Sequence, residues 1–222
     1  MKILNLYACL GGNRYKWDEV AEELGITIEV TAVELDPELA RMYQERFPND
    51  KVIVADAHQY LLDHYKEFGF IWSSPPCPTH SRMKLNQAKG TGNHKPVFPD
   101  IKLYEEIIFL KHYFSGKYCI ENVIPYYEPL IPAKKKGRHL YWTNFNLPND
   151  LNGKVPPSAW GQPGLGILER YHEIDIIMKD YKAEKRKDSM INNLVDYRAG
   201  KTILETALGI MRKQDIKQTE LF

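Results

Sequence analysis

The sequence is poor in cysteine, has almost no net charge and contains no long apolar segment. Its three cysteines in 222 residues, Cys9, Cys77 and Cys119, are an odd number at wide spacing. This spacing excludes a disulfide framework and a cysteine-based zinc site. No apolar run approaches the roughly 18 residues that span a bilayer, and residues 1–5 lack the apolar stretch of a signal peptide. We therefore expect a cytoplasmic protein with neither a bound metal nor a membrane partner.

The charge balance gives no overall preference for a polyanion. The 30 lysines and arginines are offset by 29 aspartates and glutamates, for a net charge of +1. A nucleic acid would therefore have to be bound by local basic patches, and residues 134–139 and 182–187 are the two candidates. Either run taken alone is more typical of a solvated surface.

Strand patterns and helix patterns alternate along most of the chain. Short β-branched and aromatic runs predict strands at 3–7, 26–35, 51–55, 68–73 and 118–123. Amphipathic segments between them predict helices at 17–24, 36–47, 57–65 and 100–114, and a last helix is predicted at 201–211. This alternation predicts an α/β fold in which a parallel sheet carries helices on both faces.

Three segments interrupt the alternation. Residues 75–99 are rich in proline and lack periodicity, which predicts a long loop. Residues 126–137 read as a polar, basic connection, and a further strand is expected at 139–145. Residues 146–187 are rich in proline and glycine and then charged, so we interpret them as a small insertion into a domain made of 1–145 and 188–222.

Polar residues gather where the predicted strands end. Tyr7, Glu34, Asp56, Ser74 and Glu121 all fall at carboxyl ends, which is where parallel sheets bind ligands. The turn Gly11-Gly12 lets backbone approach a ligand closely. Glu34 could bind the two hydroxyls of a ribose and Asp56 an exocyclic amine, so the set indicates a nucleoside site. Each acid taken singly is equally typical of a helix cap.

Cys77 lies just beyond a predicted strand, in a loop held by three prolines. A free cysteine is usually a small buried hydrophobe, but prolines stiffen the backbone and suit a held nucleophile. Glu121 ends the next strand, where an acid–base role beside a cysteine is plausible chemistry. If Cys77 acts as a nucleophile, a basic side chain near it would favour the reactive thiolate.

These motifs, in this order, resemble the cytosine-C5 DNA methyltransferases, and most of all the short forms of phages and prophages. The resemblance runs through nearly the whole chain. Its motifs are Leu6 to Gly12, Pro75-Pro76-Cys77, Glu121-Asn122-Val123, the basic pair Lys136 and Arg138, and Asn193-Leu194-Val195 with Gly200. Departures are Cys9 in place of the middle glycine, Pro78 in place of a glutamine, and Lys134 in place of a glutamine before the basic pair.

The resemblance implies a Rossmann-like methyltransferase fold that binds S-adenosylmethionine and acts on double-stranded DNA in a prokaryotic or phage-infected cell. It implies three groups of site residues. The catalytic residues would be Cys77, Glu121 and Arg138. The cofactor-binding residues would be Tyr7, Ala8, Gly11, Gly12, Glu34, Asp56, Asn193 and Val195. The nucleic-acid-binding residues would be Ser81, Lys84, Lys136 and Arg138. Residues 146–187 would form a short target-recognition region, and the protein would be a monomer or a homodimer.

Three other functions remain open from the sequence. The same motifs would serve a tRNA cytosine-C5 methyltransferase, for which the short recognition region leaves room. A binding module could keep the fold and the cofactor pocket without activity, although Cys77 and Glu121 are both intact. Free cytidine monophosphate could be the substrate, which the basic patches weakly disfavour.

Overall fold

A computed structural model describes residues 1–90, 95, 97–153, 165–173, 191 and 194–210. Within these residues seven strands form one sheet, in the order β3-β2-β1-β4-β5-β7-β6. The strands are β1 Lys2–Leu6, β2 Glu29–Glu34, β3 Lys51–Val54, β4 Phe70–Ser73, β5 Lys117–Val123, β6 Lys134–Lys136 and β7 His139–Thr143. The helices are α1 Trp17–Glu23, α2 Pro37–Arg46, α3 Ala57–His64, α4 Arg82–Gly90, α5 Lys102–Tyr113, α6 Leu165–His172 and α7 Tyr197–Ala207.

Strands β1 to β5 are parallel, as the alternation predicts. β1 lies at the centre and pairs with β2 on one side and with β4 on the other. The chain therefore runs outward to β3 and then returns to β4, so the strand order reverses between β1 and β4. Such a reversal opens a crevice at the carboxyl ends of the two strands. The α/β fold class is confirmed.

The far edge of the sheet differs from the prediction of a purely parallel sheet. β7 pairs with β5 in the antiparallel sense, and β6 pairs with β7 in the same sense. The turn between β6 and β7 has only two residues, Gly137 and Arg138, and so short a connection can join only antiparallel neighbours. β6 consists of three lysines, so it has no apolar alternation that would indicate a strand, and a charged edge of this kind discourages further pairing.

The predicted loop at 75–99 is wrong in part, because it contains α4. None of the residues of α4 is buried. A helix without a buried face has no apolar stripe, and the prediction of helices rested on that stripe. The last helix is also displaced from its prediction at 201–211, since it begins four residues earlier, where Asp196 caps Arg198 N.

Helices cover both faces of the sheet. Leu4 and Leu6 of β1 pack with buried residues of α3 and α5, whereas Ile3 points to the opposite face and packs with α1 and α7. This alternation follows from the two-residue period of a strand. Among the described residues no helix is long and apolar enough to cross a membrane.

α7 lies close to the loop that follows β1. Trp17 donates from Nε1 to the carbonyl of Gly200 at 3.2 Å. A Cβ on Gly200 would lie 2.7 Å from Asn13 Cα, against backbone rather than a movable side chain. Position 200 therefore admits no side chain at the present spacing of the two segments.

We predict that Gly200→Ala lowers the free energy of unfolding by about 1–3 kcal/mol, because backbone must separate to admit the methyl group. Chemical denaturation measures this. Gly90→Ala is the matched control, since a Cβ there meets nothing within 4 Å. The control should be neutral or stabilising by up to about 1 kcal/mol, because alanine favours helix. Equal effects of the two variants would contradict the close packing at Gly200.

Candidate active site

Two cavities lie side by side at the carboxyl ends of the central strands. The first, here called the thiol cavity, has a volume of about 260 Å³ and contains Cys77 and Glu121 in its wall. The second, here called the acidic cavity, has a volume of about 640 Å³ and is lined by Glu34, Asp56 and other carboxylates. Both cavities include Tyr7, Pro75 and Pro76 in their walls, so one partition separates them.

The loop after β1 adopts a strained conformation. Tyr7 and Cys9 have positive φ angles of 56° and 47°, in the left-handed region that side chains other than glycine rarely occupy. Gly11, with φ 68°, lies against the rings of Tyr43 and Phe47. Strain of this kind persists only where the surroundings hold it, and it is concentrated at ligand sites.

The same loop packs tightly against the segment before α7. A Cβ on Gly12 would lie 2.5 Å from the carbonyl oxygen of Val195. Ala8, Gly12 and Val195 all line the thiol cavity. The close approach explains why a glycine stands at position 12. Asn193, a predicted cofactor residue, lies outside the described residues.

Glu34 joins the end of β2 to the strained loop. Its Oε2 accepts from Cys9 N at 2.8 Å, and its Oε1 accepts from Asp36 N at 3.0 Å. The carboxylate also faces the acidic cavity. Burial, and secondly Glu34, raise the pKa of the Cys9 thiol to about 12, so this thiol stays protonated at neutral pH.

Asp56 lies across the acidic cavity from Glu34 and is half exposed. It caps α3 by accepting from Gln59 N at 3.0 Å, and Lys102 Nζ lies 3.7 Å from its other oxygen. The hydrogen bond from Gln59 lowers the pKa of Asp56. A carboxylate that stays ionised and faces a cavity can accept from an amine or a hydroxyl group of a ligand.

Tyr7 is hydrogen-bonded to a buried carboxylate that the sequence analysis missed. Glu106 of α5 is fully buried and accepts from Tyr7 Oη and from Ser73 Oγ, each at 2.6 Å. His58 Nδ1 lies 3.1 Å from the same carboxylate, and this contact raises the pKa of His58. Burial and Glu106 together raise the pKa of Tyr7. The available signal was position 106 itself, which falls within the apolar stripe of Leu103, Ile107 and Leu110.

The loop that carries Cys77 is held at both ends. Asn122 Nδ2 of β5 donates to the carbonyl of Pro75 at 2.9 Å. The carbonyl of Cys77 accepts from the amides of His80 and Ser81, which closes a turn directly after the cysteine. Cys77 itself is half-buried and lines the thiol cavity. These contacts hold the loop and place the thiol in the wall of a cavity, and its role as a nucleophile there stays a prediction.

The carboxylate beside Cys77 faces a histidine rather than an arginine. Glu121 is buried in β5, and His139 Nε2 of β7 lies 3.6 Å from its Oε1. Both residues line the thiol cavity. Arg138 is exposed in the turn before β7 and, among the described residues, does not belong to that wall. Sequence reasoning did not single out His139.

The electrostatic setting of Cys77 is opposite to the one expected. A neighbouring basic group was expected to favour the thiolate. Burial and, after it, the charge of Glu121 instead raise the pKa of Cys77. The resting site therefore holds a thiol whose proton must leave before it can act as a nucleophile.

None of the four residues expected to contact nucleic acid lines either cavity. Ser81 forms an isolated bridge with Pro125, and Lys84 is exposed on α4. Lys136 Nζ donates to the carbonyl of Asn149 at 3.3 Å. Among the described residues there is no group of three or more side chains suited to a metal ion.

Comparison with known proteins gives one family. The profile of a family described as C-5 cytosine-specific DNA methylase matches residues 1–123, more than half of the chain. No curated protein sequence matches the chain. The methyltransferase EhMeth of Entamoeba histolytica is 9% identical, over 96% of this chain and 99% of that one, with a TM-score of 0.60. A mutant of DNMT2 from Spodoptera frugiperda is 25% identical, with a TM-score of 0.39, over 55% of this chain. The match covers only 35% of the DNMT2 chain.

We predict that Glu121→Gln lowers the pKa of Cys77 and speeds its alkylation at a given pH. The carboxylate opposes the thiolate, whereas the amide does not, and burial will still hold the pKa above its ordinary value. The rate of reaction with iodoacetamide, followed by mass spectrometry of the Cys77 peptide from pH 7 to 10, measures the shift.

Glu105→Gln is the control for that experiment, because this carboxylate is exposed on α5 and lines neither cavity. Cys77→Ala gives the background from the other two cysteines. An unchanged midpoint in Glu121→Gln would contradict the assigned electrostatic coupling.

We predict that Tyr7→Phe weakens binding of S-adenosylmethionine by about three- to tenfold. The ring remains, but Glu106 loses a hydrogen bond that is worth about 1 kcal/mol and that holds the strained loop. Calorimetric titration measures the affinity. Tyr113→Phe, on the exposed side of α5, should leave it unchanged. If Tyr7→Phe bound S-adenosylmethionine as tightly as the parent protein does, the hydrogen bond between Tyr7 and Glu106 would have no part in cofactor binding.

Proposed function

Because this chain belongs to the C-5 cytosine-specific DNA methylase family, we propose that it methylates C5 of a flipped cytosine in double-stranded DNA through a covalent adduct with Cys77. The family match supports a cytosine methyltransferase that depends on S-adenosylmethionine. The duplex substrate and the covalent route are the proposal. The observation that carries it is the common cavity of Cys77 and Glu121, which shares a wall with a second cavity lined by carboxylates.

The residues around the two cavities fit S-adenosylmethionine. Glu34 and Asp56 would accept from the ribose hydroxyls and the adenine amine, and Tyr7 would lie against the adenine. Ala8, Gly11, Gly12 and Val195 would form the close backbone walls around the remainder, because a side chain at position 12 has no room. When bound, the cofactor supplies an electrophilic methyl group. Asn193 belongs to this proposed set by its motif alone.

The chain's own groups would activate the base, because C5 of cytosine is a poor nucleophile. Cys77 loses its proton and the thiolate adds to C6, which forms a bond from Sγ to C6. Glu121 delivers a proton to N3, so the ring becomes a neutral enamine whose C5 accepts the methyl group. The C5 proton then leaves to solvent, the bond from Sγ to C6 breaks, and N3 returns its proton. The net change replaces one hydrogen at C5 with one methyl group and releases one proton.

A duplex substrate requires base flipping, since a stacked base cannot enter the thiol cavity. The target cytosine must leave the helix, at a cost of a few kcal/mol. Ser81, Lys84, Lys136 and Arg138 would contact the backbone around the flipped nucleotide. Residues 146–187 would contact the neighbouring bases, as a target-recognition region inserted between 1–145 and 188–222.

The experiment is transfer of labelled methyl from S-adenosylmethionine to unmethylated duplex DNA, with tRNA and cytidine monophosphate assayed beside it. We expect label in DNA as 5-methylcytosine, and its loss to background in Cys77→Ala. Cys119→Ala is the matched control, because this cysteine is buried in β5 and unable to reach a substrate.

Each other outcome changes a defined part of the proposal. Label in tRNA alone would keep the chemistry and replace the substrate. Label in the free nucleotide alone would remove the base-flipping step from the proposal. Binding of the cofactor without transfer to any of the three would favour a binding module. Full activity of Cys77→Ala would refute the covalent route.

A further inference from the structure

The wall of the thiol cavity contains a polar side chain to which the family resemblance assigns no role. His139 is the first residue of β7 and lies opposite Val123 in the antiparallel register with β5. Its Nε2 lies 3.6 Å from Oε1 of Glu121, and its side chain is about one-third exposed. With Cys77 and Glu121, it completes a cluster of three titratable groups around one cavity.

We propose that His139, and not Arg138, is the hydrogen-bond donor that contacts the flipped cytosine beside Glu121. This inference rests on the proposed function and assigns a further residue to the same site. His139 would donate from its imidazole to O2 of the base while Glu121 engages N3. O2 and N3 are adjacent on the base, as the two side chains are adjacent in the wall.

The strand geometry supports this choice. Side chains on one face of an antiparallel pair lie opposite and diagonal to one another, which brings His139 beside Glu121 from the neighbouring strand. Arg138 precedes His139 and lies exposed in the turn that Gly137 opens with φ 57°. A single residue's difference in register therefore decides which of the two side chains faces the base.

The proposed reaction needs a hydrogen-bond donor at O2 of the base, and His139 can supply it. Negative charge develops on the carbonyl oxygen O2 and on N3 as the thiolate adds to C6, and a preorganised donor stabilises such charge. The cavity otherwise contributes the carboxylate of Glu121 and the thiol of Cys77, both of which are neutral or negative. The ionisable groups around His139 are Glu121 on β5 and Cys77 on the loop after β4, which line the same cavity, and Lys136, which lies opposite it in the register of β6 and β7.

The test compares His139→Ala, His139→Gln and Arg138→Ala in the methyl-transfer assay. We expect His139→Ala to lower kcat by about 10²-fold, the usual cost of one transition-state donor. His139→Gln retains an N–H donor without a charge and should recover part of that loss. Arg138→Ala should change kcat by less than about threefold and act mainly on KM for DNA, as an exposed charge at a rim does.

A second readout isolates the step in which His139 would act. A duplex synthesised with 5-fluorodeoxycytidine traps the covalent adduct, because fluorine cannot leave C5 as a proton does. The rate of adduct formation, seen as a gel-stable complex, should fall in His139→Ala to the same extent as kcat. Melting temperature and calorimetric affinity for S-adenosylmethionine should stay at the parent values, which separates loss of contact from loss of structure.

The outcomes distinguish this inference from the proposed function. Parent-like kcat and adduct formation in both His139 variants would overturn the inference and leave the methyltransferase intact. So would a 10²-fold loss of kcat confined to Arg138→Ala. If tRNA or cytidine monophosphate proves to be the substrate, the same variants are compared on it. A parent protein that methylates none of the three substrates overturns both proposals.

Discussion

The hydrogen bond from the Asn122 amide to the carbonyl of Pro75 is the contact on which the geometry of the site depends. It fastens the loop after β4 to the end of β5, the strand that carries Glu121. Pro75 belongs to the wall of both cavities, so its position sets the partition between them. One buried side-chain amide thereby fixes the thiol, the carboxylate and the boundary between the two cavities relative to one another. Buried hydrogen bonds of this kind are costly to leave unmade, which makes the arrangement stiff.

The loop after β1 is the second fixed element, and two carboxylates hold it from different sides. Glu34 accepts the amide of Cys9, and Glu106 accepts the hydroxyl of Tyr7. Cys9 and Tyr7 are the two non-glycine residues of this loop that have positive φ angles. Each such residue costs about 1–3 kcal/mol of backbone strain. The hydrogen bonds offset that cost and keep the backbone of the loop facing the cavity, where a bound cofactor would require it.

The sequence predicted the features that follow from local chemistry. Parallel strands β1 to β5 are apolar and β-branched, and Asp36 and Asp56 mark the starts of α2 and α3, so the strand ends and their polar residues could be located in advance. Family resemblance added the cofactor and the cytosine chemistry.

What could not be predicted depends on contacts between distant segments. No residue of α4 is buried and β6 is three lysines, so neither shows an apolar pattern. Glu106 falls within the apolar stripe of α5, but nothing along the chain shows that Tyr7 and Ser73 are its partners. His139 can be recognised as a site residue only from the register between β5 and β7, which places it rather than Arg138 beside Glu121. A resemblance transfers motifs along the chain but does not fix that register.

The raised pKa of Cys77 has a consequence for how the proposed reaction would begin. Burial and Glu121 both oppose a second negative charge in the thiol cavity, so a thiolate there requires the charge of Glu121 to be neutralised. Movement of the proton from Sγ towards Glu121 satisfies both needs, because the cavity then still holds a single negative charge. Glu121 would become the acid that serves N3 at the moment when Cys77 becomes the nucleophile for C6. The same coupling keeps the thiol protonated until a cytosine enters the cavity and its N3 can receive that proton. A protonated thiol is a poor nucleophile, so Cys77 is protected from electrophiles in the solvent.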